Sequence, residues 1–540
     1  MSKSRISIFA VGTTDWMQYR PYEQFSPQYD GYYLKLANRV FESLNSQEHF
    51  LREILLREEL VELSVILSSW FEDYANEIGL WAAYTRKNKD LHGFYLPFYA
   101  LHDYDLEAIN VEDIAYLIWH YSCRQTDKII SPNSPALHTI GVKLVNMFEN
   151  ALDDAPGTDF YDKYLVIPDD IYYFKLKAKL YWMAFQNYLT GPEFKQALAD
   201  QIEELQTEKD GLLSQFQDLS KLVYALQDDY LYKKSSSFLA FTMPEWLAEV
   251  AQCPEPLRAD IRGLFQRVMG EFVFEKETAA AYQFRHAYTK RLFQVKPESV
   301  TLKGIAPGAT VYTSLIDWKG AWWVTGTLAS LGDATSAPKK PKDTFNPSLT
   351  PFYAYSTEQQ QILRETAADM ESAFLEFFGS RLVFFKNQKD VQAAMQAESD
   401  YYNESKTKVG KWAKPSPKLR DKFAKQLELA LKDVYQGQGL GLFFEPGVGT
   451  LISPLLSTLV YSLQQENPTP KEINNTFITL FRECSPAIRQ YLLEQYGSKN
   501  LQFPVKTFFN LTTHLDFLSR YYNPGAYREA LPNNTLMLEE

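Results

Sequence analysis

His120 and Cys123 stand three residues apart, a spacing at which two side chains on one helix face can share a ligand. His102, Asp103 and Asp105 lie a short way upstream, and His92 precedes them. These residue types can hold a transition metal. No HExxH, CxxC or HxH core organises them, however, and buried helices commonly carry a satisfied histidine and an apolar free cysteine. No metal site is therefore expected. A second candidate, "GQGLGLFFEPGVGT" from Gly437 to Thr450, runs from a strand-like centre through a glycine turn towards a helix. That order can build an anion site at a helix N-terminus. The lysine of a phosphate-binding loop is missing and Glu445 sits at the loop mouth, so the glycines are read as tight turns. There is no GxSxG elbow and no Cys–His nucleophile signature. Accordingly no catalytic residue is assigned and no cofactor is expected.

Two stretches could bind rather than react. Asn403 to Lys425 carries eight Lys or Arg against Glu404 and Asp421, a local balance of 8 − 2 = +6 in a chain whose net charge is −12. Trp412 stands among Lys411, Lys414, Lys418 and Arg420. An aromatic ring amid lysines can stack on an unpaired base while the ammonium groups follow phosphates. The same charges also suit a solvated face. The other stretch is "IDWKGAWWVTG", Ile316 to Gly326, which reads as an aromatic β-hairpin turning at Asp317–Gly320. Pairing Ile316 with Ala321 puts Val311, Leu315, Trp322, Val324 and Leu328 on one apolar, core-facing side. Tyr312, Ser314, Trp323, Thr325 and Thr327 fall on the other. That face either contacts a ligand through Tyr312, Trp323 and Thr325 or docks the hairpin's domain on the rest of the chain.

The elements that must position these residues are mostly helical. From about Gln47 to Trp81, Leu56, Leu60, Leu63, Leu67, Trp70 and Tyr74 recur at steps of three and four, as one helix face does. "INVEDIAYLIWHY" predicts a buried helix with Asn110 as N-cap and Glu112 and Asp113 in its first turn. Leu198, Leu205, Leu212, Leu219 and Leu226 are seven apart, broken at Lys209. An isolated coiled coil is one reading; a helical hairpin packed on the aromatic segment Tyr172–Tyr188 is preferred. After Gly270 the period drops to two, and "EFVFEK", "AYQFRH", "RLFQV", "TVYTSLI" and "AWWVTGTL" predict five strands of an SH3-like or OB-like barrel. Gly332 to Pro351 holds four prolines without periodicity, as a linker does. "RLVFF" and "LGLFF" are strand-like and could pair.

The fold class expected is thus mainly α and multi-domain, with a small five-stranded β-barrel in the middle and a C-terminal α+β domain. The boundaries expected are a helical domain over 1–265 with a helical hairpin near 170–231, the barrel over 270–330, a linker over 331–355, and a mostly helical α+β domain over 356–540. Three scattered cysteines, Cys123, Cys253 and Cys484, suit a reduced, cytoplasmic chain. No apolar run nears the roughly 20 residues that cross a bilayer, so no membrane partner is expected. "DWMQYRPY" from Asp15, "DGYYLKLAN" from Asp30, "HGFYLPFY" from His92, "INVEDIAYLIWHY" from Ile109 and "PGATVYTSLIDWKGAWWVTG" from Pro307 together resemble an uncharacterised bacterial family of unknown function. The likeness spans most of residues 15–330 and implies a bacterial cytoplasmic protein without assigning chemistry. A binding or scaffolding protein with a protein partner is the first expectation. Nucleic-acid binding through the barrel and residues 406–425 is the alternative, and a metal- or nucleotide-dependent enzyme the third.

Overall fold

The computed structural model describes residues 10–46, 50–126, 130–207, 219–333, 352–406, 439–501, 511–528 and 535–536. Two compact units emerge: residues 1–265 with 503–525, and residues 266–502 with 526–540. Among the described residues no helix is long and apolar enough to cross a membrane.

The first unit is helical. Its helices are α1 (Thr13–Met17), α2 (Asp30–Ser46), α3 (Arg57–Ala75), α4 (Leu80–His92), α5 (Val111–Gln125), α6 (Pro135–Leu152), α7 (Asp162–Leu165), α8 (Tyr173–Phe185), α9 (Gly191–Thr207), α10 (Leu219–Tyr232), α11 (Met243–Val250) and α12 (Glu255–Gly263), with a further helix Leu511–Tyr522. The span 47–81 is not one helix. Leu60, Leu63, Leu67 and Trp70 are buried on α3 as their spacing predicts, but Leu56 is the N-cap and lies 68% exposed. Between α3 and α4 the backbone turns through Glu77 (φ 51°) and Gly79 (φ 89°). Helix α5 is buried along its length from Asp113 to Cys123, as an all-round apolar helix must be. Leu198 and Leu205 lie on α9 and Leu219 and Leu226 on α10, and Tyr230 on α10 donates to the Ala197 carbonyl (3.0 Å) and Gln201 (2.8 Å) on α9, making an antiparallel pair. Helix α8 completes the layer through the Tyr173–Tyr232 hydroxyls (2.7 Å) and the Lys177–Asp228 ion pair (2.6 Å). Lys209, Leu212 and Phe216 lie outside the described residues. The helix Leu511–Tyr522 packs here because Phe517, Leu518 and Tyr521 are buried, and His514 accepts a hydrogen bond from the Phe98 backbone N–H (3.3 Å).

In the second unit β1 (Val268–Glu277), β2 (Tyr282–His286), β3 (Leu292–Val295), β4 (Ala309–Trp318), β5 (Ala321–Val324) and β6 (Ala329–Asp333) form one sheet. Its order β1-β2-β3-β5-β4 closes through β1–β4 pairing, a five-strand barrel with β6 added on β4. Every pair is antiparallel except β3–β5. The core is Val268, Phe272, Phe284, Phe293, Val311, Leu315 and Val324, with Trp322 and Leu328 packed against it. The hairpin is tighter than its sequence suggests. Leu315 pairs with Val324, Ile316 with Trp323 and Trp318 with Ala321, so the loop is Lys319–Gly320 alone. Both loop residues hold positive φ (55° and 75°), as a two-residue turn matched to strand twist requires. A two-residue shift of register preserves parity, which is why the core face is the one predicted.

The rest is α+β. Helices α13 (Thr357–Phe378), α14 (Gln388–Lys406), α15 (Leu455–Gln464), α16 (Pro470–Arg482) and α17 (Pro486–Tyr496) accompany β7 (Leu382–Phe385), β8 (Leu440–Glu445), β9 (Gly449–Ser453) and β10 (Thr535–Leu536). "RLVFF" and "LGLFF" do pair, as β7 and β8. The glycine run is the β8–β9 hairpin, with Gly447 and Gly449 at positive φ. At Gly441 an added Cβ would meet the Leu456 Cβ at 2.6 Å, so its bareness lets α15 pack on β8.

Candidate functional site

The cleft in the first unit is built by the end of α3, the start of α4, the segment before α5 and the first turn of α5. It encloses about 550 Å³, within the range of small-molecule sites. Asp73, near the C-terminal end of α3, is 2% exposed. Its carboxylate accepts the backbone N–H groups of Gly79 (2.7 Å), Leu80 (3.2 Å) and Trp81 (2.8 Å) and the Tyr188 hydroxyl (2.6 Å). Gly79, the N-cap of α4, has no side chain to cap with, and Asp73 supplies from α3 the acceptor those N–H groups need. That anchorage fixes Trp81 at the cleft floor. Across the cleft Asn110 occupies the N-cap position of α5, as expected, but its side chain turns away from the helix. It donates to the Asp105 (2.7 Å) and Ala108 (3.1 Å) carbonyls and accepts from the Asp105 N–H (3.0 Å), bracing the loop. Tyr104 on that loop donates to the Asp113 Oδ1 (2.7 Å) in the first turn of α5.

Asp73, Trp81, Thr85, Asn110 and Asp113 form the buried floor, and Glu77, Ala82, Leu106, Glu107 and Leu152 the exposed rim. Among the described residues the charged lining groups are all carboxylates, with no Lys, Arg or His. Burial pushes the Asp113 carboxyl up to about 7, against the opposing pull of hydrogen-bonding groups on Tyr104, Trp81 and Asn110. Burial also raises Asp73, opposed by Tyr188 and the three N–H groups. The Trp81 indole N–H is buried beside the Asp113 carboxyl and the Tyr104 hydroxyl. Asp113 can therefore take or release a proton near neutral pH, and charges readily when a cation arrives.

The residues singled out from sequence scatter. His102 is exposed on a short turn. His120 is buried against Phe238 (4.3 Å between rings), and burial holds it well below the usual histidine range. Burial likewise pushes His92 down to about 4, although Asp516 lies 3.4 Å away. Cys123 is buried. Among the described residues no group of three or more His, Cys, Asp or Glu is placed to hold a metal ion. On the barrel Tyr312 is 42% exposed, but Trp323 is 6% and Thr325 1% exposed, so the outer hairpin face is largely covered. Lys411, Trp412, Lys414, Lys418 and Arg420 lie outside the described residues. Sequence reasoning passed over Asp73, Trp81, Tyr104 and Asp113. The signal for Asp113 was present: a carboxyl in the first turn of an all-round apolar helix has little water to reach.

A second polar cluster is structural. Arg20 pairs with Glu72 (2.8 Å), both buried, and its guanidinium lies 3.8 Å over the Trp16 ring. Glu72 also accepts from the Tyr29 (2.7 Å) and Tyr161 (3.2 Å) hydroxyls, while Asp30 accepts from Trp16 Nε1 (2.9 Å) and the Tyr22 hydroxyl (2.8 Å). This network ties "DWMQYRPY" and "DGYYLKLAN" to α3.

A protein family described as of unknown function, DUF3843, matches residues 11–292, and the chain belongs to that family. The matched span contains the whole cleft. No curated protein and no solved structure matches the chain.

Proposed function

We propose that this member of the DUF3843 family is a binding protein whose recognition site is the cleft around Asp113. The observation that carries this reading is a buried carboxyl, hydrogen-bonded by Tyr104, at the floor of a cavity of about 550 Å³. A concave site of this size with a buried titratable group on its floor is what a ligand site presents.

The reading in which a protein partner docks on the barrel rests on Tyr312, since Trp323 and Thr325 are covered. It is the weaker of the two.

The test is ligand-observed NMR with a fragment library on the full chain, comparing wild type with Ala82→Trp. Ala82 is exposed at the rim, so the indole fills the cleft without entering the core. Fragments that bind wild type and are lost with Ala82→Trp, at an unchanged melting temperature, support the reading. A set of binders indifferent to the substitution, or no binders, overturns it.

A further inference from the structure

The chemistry of the cleft narrows what it takes, an inference that rests on the binding reading above. We propose that the cleft receives a compact organic cation, an ammonium or guanidinium group, paired with the Asp113 carboxylate while its carbon body lies against Trp81.

Charge comes first. Asp73, Glu77, Glu107 and Asp113 line the cavity, and among the described residues no basic side chain joins them, so its charge favours a cation over an anion. The four carboxylates are not equivalent. Asp73 receives four hydrogen bonds and is committed to capping α4. Asp113, 3% exposed, accepts from the Tyr104 hydroxyl, caps no helix with its side chain, and is the buried carboxylate left to meet a ligand's charge. A desolvated carboxylate facing a cavity is stabilised most by a cation brought to it.

Aromatic surface is the second observation. Trp81, Tyr74 and Tyr104 line the same cavity, and a cation near an aromatic face gains attraction from the ring quadrupole, most with indole. Size and rim are the third. A cavity of about 550 Å³ edged by Ala82, Leu106 and Leu152 suits a carbon skeleton, not a bare ion.

Binding is then coupled to proton release. The titratable groups that act with Asp113 are Glu112, Tyr74, Tyr99, Tyr104, Tyr188 and, through Tyr188, Asp73. The tyrosines are raised away from neutral pH, and burial raises both aspartate carboxyls, Asp113 to about 7. Affinity for a cation therefore rises as pH passes upward through about 7.

The cation can belong to a free amine or to a lysine or arginine side chain of another protein. Calorimetric titration of the full chain with butylamine, agmatine, a lysine-containing tripeptide and the neutral 1-butanol separates these. Saturable binding of at least one cation, at least tenfold tighter than 1-butanol and at least fivefold tighter at pH 8 than at pH 6, is expected. Asp113→Asn should weaken it at least tenfold. Binding confined to the tripeptide assigns the source as a protein side chain; binding of the free amines assigns a small molecule. Equal affinity for butylamine and 1-butanol overturns the cation proposal. If that shared binding is lost with Ala82→Trp, the cleft reading survives; if no probe and no library fragment binds, both fall.

Discussion

Asp113 shows at the scale of one residue what burial does to a carboxyl. In an unfolded chain an aspartate titrates near 4; here burial moves it to about 7. Between those values the folded chain holds a proton that the unfolded chain has released, so stability falls as pH rises from about 4 through 7. Above 7 the folded protein carries a buried charge that only partners can offset. Asp113→Asn removes the titration while keeping an oxygen to accept from Tyr104. The variant should match wild type near pH 3.5 and be the more stable at pH 8. Three pKa units at about 1.4 kcal/mol each cap the gain at roughly 4 kcal/mol. Urea melts at the two pH values read this directly, and a difference that ignores pH would show that Asp113 is not the titrating group. Sequence placed Asp113 correctly in the first turn of α5 and read it only as a favourable charge for the helix dipole. It could not show that Tyr104 and Trp81 close over the carboxyl, because Trp81 reaches the cleft from another helix.

At the scale of elements, periodicity was the reliable signal and exposure the unreliable one. The period-two run after Gly270 predicts the five strands that close the barrel, and the parity of β4 predicts which face holds Val311 and Leu315. The sixth strand, Ala329–Asp333, reads Ala-Ser-Leu-Gly-Asp, with Leu331 its one large apolar residue, and so leaves no alternation to read. Which of two adjacent tryptophans is better covered depends on what packs outside the barrel, and no alternation encodes that. Trp322 faces the core from its rim, half-buried with its ring edge on Phe293 (4.7 Å), whereas Trp323 is 6% exposed. Trp323→Ala should therefore cost about 3–5 kcal/mol, as large truncations in packed surroundings do, and Trp322→Ala less. Denaturant midpoints of the two variants decide the order. A near-neutral Trp323→Ala would mean its ring is covered loosely enough to serve as a contact surface.

For the whole molecule, the least legible feature is where the helix Leu511–Tyr522 belongs. Sequence order assigns it to the α+β part, yet it lies in the compact unit formed by residues 1–265. Local patterning reports that a helix has an apolar face and carries nothing about a partner some four hundred residues away. The contacts are specific: His514 lies against Phe98 (4.5 Å between rings), Phe517 against Phe94 (6.1 Å), Tyr521 against Trp119 (4.7 Å), and Arg520 donates to the Leu239 carbonyl (3.1 Å). Burying Phe517, Leu518 and Tyr521 is worth about 1.5–3 kcal/mol each, together comparable to the roughly 5–15 kcal/mol by which domains are stable. Residues 1–265 expressed alone should accordingly bind a hydrophobic dye and melt without a cooperative transition. The same residues joined by a flexible linker to 503–525 should regain a sigmoidal melt, and Phe517→Ala in the joined chain should take much of it away. The cleft around Asp113 sits on α3, α4 and α5, and α4 and α5 are held by this helix through Phe94, just past α4, and Trp119. Cation binding should return with the melt. A fully cooperative melt of residues 1–265 alone would show that the helix decorates the unit without completing its core.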